Sequence, residues 1–300
     1  MPFFFDLALP IAYAGVMFLL GLGLSLADFR GIFLQPRALL VGLTSQMLLL
    51  PLVAFGLMAV LDLPDYMKVG FVLLSACPGG STSNLASYML RGNVALSVSL
   101  TAVNSFIVLF SIPAVLSLAT LAFEFSGSAQ LPFWDTLLRV LVLTVLPCLV
   151  GVVIRWRLPK RALRWERVLK WVMPVLMAAS IAGGAFFGDN EGPKIGMADY
   201  LTAMPAALLL NVFSMFMGAG LAWLVGLPNR DRFTIGIEVG IQNAALAITI
   251  ASGSFFLNQP KIAIPAIVYL LFPFFTAMIF GYFANRKELR GKIFQKPKEA

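Results

Sequence analysis

The chain contains no histidine. That excludes histidine proton relays, serine–histidine nucleophile pairs and histidine-ligated metals. Charge is scarce as well: 12% of the 300 residues are Asp, Glu, Lys or Arg, against 60% hydrophobic. A soluble domain could not cover that much apolar surface, so the composition dictates a polytopic membrane protein. Cysteine is limited to Cys77 and Cys148, both inside apolar runs. They read as buried packing residues rather than a disulfide, and two thiols alone make no metal site. The opening Met1-Pro-Phe-Phe-Phe-Asp6 has no basic region and no small-residue cleavage motif. The first apolar run therefore reads as a true span and not a signal peptide.

What is present is a series of hydrophobic runs of membrane-spanning length. Nine are expected: Leu7–Ala27, Ala38–Leu61, Val69–Leu90, Val94–Ala122, Leu137–Ile154, Val172–Phe187, Ala203–Val225, Phe233–Phe256 and Ile262–Phe283. Short connectors carry turn signals such as Leu63-Pro64-Asp65 and Leu227-Pro228-Asn229, and none has room for a soluble domain. The reading is an all-α polytopic membrane protein with a single transmembrane domain over 1–300. Its halves cover about 1–130 and 131–285, and 286–300 is a basic cytoplasmic tail.

The distribution of Lys and Arg sets the orientation. With the C-terminus in the cytoplasm, all but Lys68, Arg139, Lys194 and Lys261 of the 22 basic residues fall on inner connectors. The outer side is acidic, with Asp62, Asp65, Glu124, Asp135, Asp189, Glu191 and Asp199. The expected topology is N-terminus outside and C-terminus inside, in the cell (inner) membrane. The net charge of +8 then needs no nucleic acid partner. The longest inner connector, Arg155 to Lys170 with Trp156, Trp165 and Trp171 nearby, reads as an anchor on anionic lipid headgroups.

Two spans are not plain helices. Span 3 contains Cys77-Pro78-Gly79-Gly80 followed by Ser81, Thr82, Ser83 and Asn84. Proline removes a backbone donor and two glycines weaken the rest, so the helix should break in mid-membrane. Span 8 has a break of its own at Gly240-Ile241-Gln242-Asn243. Freed backbone groups survive at that depth only where protein or a water-filled cavity satisfies them. Interrupted spans in corresponding positions of two halves point to a transporter binding site and to an inverted repeat.

Directly before the second break stands Glu238, the one carboxylate within an otherwise apolar span. A charge at that depth costs at least ~2.5 kcal/mol on insertion scales, so it calls for partners. Span 4 carries Asn93, Ser97, Thr101, Asn104 and Ser105 along one helical face, and span 2 adds Gln46. No Lys or Arg lies among them. Hard cations take carboxylate, hydroxyl, amide and carbonyl oxygens, so the inventory suits sodium. Ser83, Asn84, Ser97, Thr101 and Glu238 can supply one set. Gln46, Gln242 and carbonyls released around Glu238, Val239 and Ile241 can supply another. An anionic substrate would then be neutralised by the bound cations and by half-helix N-termini near Ser81 and Asn243.

The stretches Cys77-Pro-Gly-Gly-Ser-Thr-Ser-Asn84, Arg91-Gly-Asn-Val-Ala-Leu-Ser97-Val-Ser-Leu-Thr101 and Ile237-Glu238-Val-Gly-Ile-Gln242-Asn243-Ala-Ala-Leu-Ala247 resemble the bile acid:sodium symporter family. The resemblance implies a core domain and a panel domain, with two broken helices (spans 3 and 8) crossing in the core. It implies a first sodium at Ser83, Asn84, Ser97, Thr101 and Glu238, and a second at Gln46, Glu238, Val239, Ile241 and Gln242. The organic anion would lie against Ser81, Thr82 and Asn243. Bacterial members often have ten spans; nine are expected here, without the first, as in the animal carriers. Some also carry a His-Asn pair in the last span, where this chain has the nearly apolar Tyr269-Leu-Leu-Phe272-Pro273-Phe-Phe. A different or more apolar organic acid is expected.

The expected function is a secondary-active symporter of sodium, two ions, with an organic anion, working by alternating access in the lipid bilayer and needing no oligomer. A proton-coupled carrier in which Glu238 titrates and a ligand sensor without transport stay open. An intramembrane enzyme is disfavoured, because nothing obvious would activate Ser81 or Ser83.

Overall fold

Runs rich in Leu, Val, Ala and Phe, bordered by Pro, Gly and Asn, give helices throughout the computed structural model, which describes residues 7–23, 35–125, 134, 138, 141–187, 195–253 and 257–284. In chain order the helices are α1 (Leu9–Gly23), α2 (Pro36–Val60), α3 (Asp65–Ala76), α4 (Ser81–Met89), α5 (Val94–Ala122) and α6 (Leu146–Arg157). They are followed by α7 (Pro159–Phe187), α8 (Met197–Leu224), α9 (Asn229–Gly240), α10 (Ala244–Ser252), α11 (Ile264–Tyr269) and α12 (Pro273–Ala284). Among the described residues there is no strand.

Proline accounts for most of the irregularities. In α2 the turn over Ser45–Leu49 widens to a π-helix, with the Leu50 N–H bonded to the Ser45 carbonyl five residues back; Pro51 follows and has no N–H to give. The same pairing recurs where the π turn Leu141–Val145 precedes Leu146-Pro147 at the start of α6. Helix α5 begins at Asn93, whose side chain accepts from the Leu96 N–H, and holds Pro113 in its interior. It bends by 61° between Val108 and Phe110, where the carbonyl that Pro113 leaves unpaired lies.

By length and apolarity alone, four segments can cross a membrane: Pro36–Val60, Met197–Leu224, Asn229–Ser252 and Pro260–Ala284, with the bent α5 as a fifth. The expected span over 69–90 is divided into helices of 12 and 9 residues, and neither is long enough alone. The ends of the expected spans at 24–27, 137 and 254–256, and the basic tail at 286–300, lie outside the described residues. One boundary differs from expectation. The basic stretch from Arg155 is helical on both sides of Leu158: α6 runs to Arg157 and α7 starts at Pro159, a residue suited to a first helical turn. Arg155 pairs with Glu166 at 3.6 Å, and Trp156, Trp165 and Trp171 remain exposed.

Helices α1, α6 and α7 pack on one another. Gly21 and Gly151 allow this: a Cβ on Gly21 would overlap the Cys148 carbonyl, and one on Gly151 the Phe18 carbonyl. The remaining helices surround α9 and α10. An 18-residue stretch of Asn229–Ser252 is 89% buried, against 39% for one in Met197–Leu224, so α9–α10 is the centre of the molecule.

Contacts between connectors sort onto two ends. At one end Arg37 donates to the Val225 carbonyl, Arg230 to the Arg91 carbonyl, and Asn93 to both Gln35 and Asp231 at 2.7 Å. At the other, Tyr66 donates to Asp199 at 2.9 Å and Lys261 lies over the Tyr66 ring. Each group unites residues that the charge distribution assigned to one face.

Candidate cation site at two crossing helix breaks

Helix α3 stops where Cys77 turns extended (φ −74°, ψ 150°), and α9 where Ile241 does (φ −109°, ψ 105°). The chain re-enters helix at Ser81 and at Ala244. The two breaks touch, since the Asn243 N–H donates to the Pro78 carbonyl at 2.8 Å. Ends of four short helices therefore converge at one place, with the partial charges that helix ends carry.

Glu238, fully buried on the last turn of α9, faces this crossing. Ser97 Oγ lies 2.7 Å from both Glu238 Oε2 and Asn84 Oδ1. Thr101 Oγ1 donates to Glu238 Oε1 and lies 3.4 Å from Asn84 Oδ1. Ser83, which donates to the Gly80 carbonyl at 2.7 Å, adjoins the same carboxylate. The structure thus brings together all five residues of the first expected set. Each hydroxyl has one proton, while the carboxylate and the amide oxygen have none to offer. Oxygens outnumber donors, and none of the ion pairs formed among the described residues involves Glu238. A hard monovalent or divalent cation suits such a cluster. Gly79 makes room for it, because a Cβ there would meet Glu238 Oε1 and come within 3.2 Å of Ser83 Oγ.

The second set forms a chain of amides. Asn104 Nδ2 donates to Gln46 Oε1, Gln46 Nε2 to Gln242 Oε1 at 3.4 Å, and Gln242 Nε2 to the Val239 carbonyl at 2.5 Å. The π turn in α2 carries Gln46, which is fully buried. Ile241 is not part of this chain of hydrogen bonds; its N–H closes the last turn of α9 on the Ile237 carbonyl. Glu238 hydrogen-bonds to neither glutamine among the described residues; the two sets are neighbours along α5 and around the end of α9.

Sequence reasoning missed how the end of α9 is held. The Gly240 carbonyl accepts from Asn211 Nδ2 at 2.6 Å and from the Tyr269 hydroxyl at 2.5 Å, and Asn211 Oδ1 accepts from Thr276 at 2.5 Å. A polar residue inside Leu208-Leu-Leu-Asn211-Val-Phe was the available signal. Tyr269, in the stretch read as nearly apolar, spends its hydroxyl here rather than on a cavity.

The expected substrate contacts are less gathered. Thr82 is exposed, Asn243 caps α10 by accepting from the Leu246 N–H at 3.0 Å, and the side chain of Ser81 lies outside the described residues. From the span 4 face, Ser105 bonds back to the Thr101 carbonyl, and Asn93 sits at the basic end. A cavity of about 510 Å³ between α8 and α12, lined by apolar side chains such as Val212, Phe216 and Phe280, holds none of the nominated ligands.

Comparison with known proteins bears on this geometry. Residues 10–187 match the Sodium Bile acid symporter family. The probable sodium/metabolite cotransporter BASS1, chloroplastic, of Arabidopsis thaliana is 30% identical over 83% of this chain and 59% of its own length. The uncharacterized sodium-dependent transporter YocS of Bacillus subtilis is 28% identical over 85% of this chain and 75% of its own. The human ileal sodium/bile acid cotransporter is 28% identical over 95% of this chain and 80% of its own. The chain spans only about three fifths of the plant relative's length. Since the matched region covers more than half of the chain and includes α3, α4 and α5, the chain belongs to the sodium bile acid symporter family.

Proposed function

We propose that this protein is a secondary-active symporter that couples sodium to uptake of an organic anion by alternating access. The observation that carries the reading is Glu238: a fully buried carboxylate, without a basic partner among the described residues, ringed by hydroxyl and amide oxygens where two broken helices touch. Ser83, Asn84, Ser97, Thr101 and Glu238 hold one sodium ion. Gln46, Gln242 and backbone oxygens near Val239 and Ile241, with Glu238 as the shared charge, hold a second. The organic anion docks beside the N-terminal ends of α4 and α10, against Ser81, Thr82 and Asn243. Names of relatives point the same way, one being called sodium-dependent and another a sodium/bile acid cotransporter.

The architecture follows as an inverted repeat. A long helix, a linker ending in Leu-Pro, a 12-residue helix, a break and a 9-residue helix occur as α2–α3–α4 and again as α8–α9–α10. Helices α1, α6 and α7 form the panel and the rest the core. The end holding Arg37, Arg91 and Arg230 faces the cytoplasm, and the end holding Tyr66, Asp199 and Lys261 faces outward.

Purified protein in proteoliposomes tests the function. Labelled taurocholate and a panel of short organic acids should accumulate under an inward sodium gradient and not under an equal potassium gradient. Uptake that follows a pH gradient in sodium-free buffer would transfer the role to the proton.

A further inference from the structure

Within the amide chain every oxygen but one accepts a hydrogen bond. Gln46 Oε1 accepts from Asn104 and Gln242 Oε1 from Gln46, while Gln242 ends the chain on the Val239 carbonyl. The exception is Asn104 Oδ1, which is buried and has no partner among the described residues. A buried amide oxygen with nothing to accept from is costly, and native interiors keep such groups only where something else satisfies them. The other amide donors of the chain are directed elsewhere, Gln46 Nε2 to Gln242 Oε1 and Gln242 Nε2 to the Val239 carbonyl.

We infer that Asn104 is a ligand of the second cation through Oδ1. The inference rests on the sodium reading above and deepens it. Asn104 stands three residues after Thr101 on α5, so the same helical face that presents Ser97 and Thr101 to Glu238 presents Asn104 to the glutamine pair. One helix thereby contributes an oxygen to each ion. The Asn104 side chain divides its labour: Nδ2 fixes the orientation of Gln46, and Oδ1 faces the ion. Asn, with a neutral oxygen, suits a site whose only full negative charge belongs to Glu238.

Two variants of the full chain in detergent separate ligation from simple positioning. The readout is the melting temperature as NaCl replaces choline chloride at constant ionic strength. Asn104→Leu removes both functions, and should raise the half-saturating sodium concentration by about tenfold and flatten the cooperativity of the titration. Asn104→Asp keeps the oxygens but cannot donate to Gln46. If Asn104 ligates, this variant keeps a sodium response at or below the wild-type concentration. If it merely positions Gln46, Asn104→Asp fails as badly as Asn104→Leu, and the inference is overturned. A sodium-responsive wild type with an unaltered Asn104→Leu titration overturns it as well. A wild type indifferent to sodium removes the underlying reading and the inference with it. Should Asn104→Leu not fold, the Asn104→Asp titration decides alone.

Discussion

The backbone N–H of Asn243 donates to the carbonyl of Pro78 at 2.8 Å, so the break after α9 is fastened to the break after α3 by main chain alone. The bond needs no side chain at either residue, and only proline at 243 would remove its donor. Asn243→Ala should therefore leave the crossing in place and lose only the cap on the Leu246 N–H, worth about 1 kcal/mol. Thermal unfolding should show that modest loss with the sodium response kept. A collapse of the response would mean that the side chain, and not the backbone, holds the crossing.

Glu238→Gln preserves shape and removes charge. With Ser97, Thr101 and Ser83 still able to reach the side chain, the protein should fold and melt in choline chloride at least as high as the wild type, because a buried charge has been removed. Its melting temperature should not rise with sodium. Glu238→Ala should lose sodium-driven uptake altogether, and uptake at wild-type rate would refute the role given to this carboxylate.

Gly79→Ala places a methyl group against Glu238 Oε1 and Ser83 Oγ. Overpacking of this kind costs about 1–3 kcal/mol. More tellingly, it pushes on the first oxygen cluster and not on the amide chain. Sodium titration should lose affinity as strongly as in Ser97→Ala, whereas Gly80→Ala, with nothing within 4 Å of the added carbon, should titrate normally.

Asn211 and Tyr269 donate to the same Gly240 carbonyl. Tyr269→Phe should lower stability by about 1 kcal/mol, because one donor remains. Asn211→Leu should cost more, since it also removes the oxygen that accepts from Thr276 and leaves that hydroxyl only the Phe272 and Pro273 carbonyls. The double variant should lose more than the sum of the singles, because only then is the carbonyl left bare. Chemical denaturation of the four proteins closes the cycle.

Cys77 and Cys148 are both buried, so a membrane-impermeant maleimide should leave the natural chain unlabelled. Lys261→Cys should then react from outside intact cells and Arg230→Cys only after the inner face is exposed. The reverse pattern would invert the topology.

Much of the site could be read from the chain because it depends on residue types that the membrane makes expensive. Glu238, Gln46 and the polar run after Pro78 are conspicuous against Leu, Val and Ala, and proline with paired glycines marks a break whatever surrounds it. The two breaks alone suggested paired halves; the equal helix lengths around them, 12 and 9 residues in each case, were not legible, because Leu63-Pro64 and Leu227-Pro228 read singly as turns. Asn211 and Tyr269 were overlooked for another reason. Their partner is a backbone carbonyl freed by the break, and sequence carries no sign of which helix will lie beside it. The basic stretch after Arg155 was taken for a connector because charge suggests solvent, yet Arg, Leu, Ala and Lys are good helix formers and propensity prevailed.

The single charge of Glu238 has an electrical consequence. In the two-sodium symport proposed above, two ions on one carboxylate would leave the crossing with a net charge of plus one, which a monovalent organic anion beside α4 and α10 would cancel. The loaded core would then cross the field as a neutral assembly, and the empty core would return carrying one negative charge. Each cycle of that scheme would move one positive charge inward, the voltage-sensitive step would be the return of the empty carrier, and clamping the interior negative should speed turnover without altering how tightly the substrate is held.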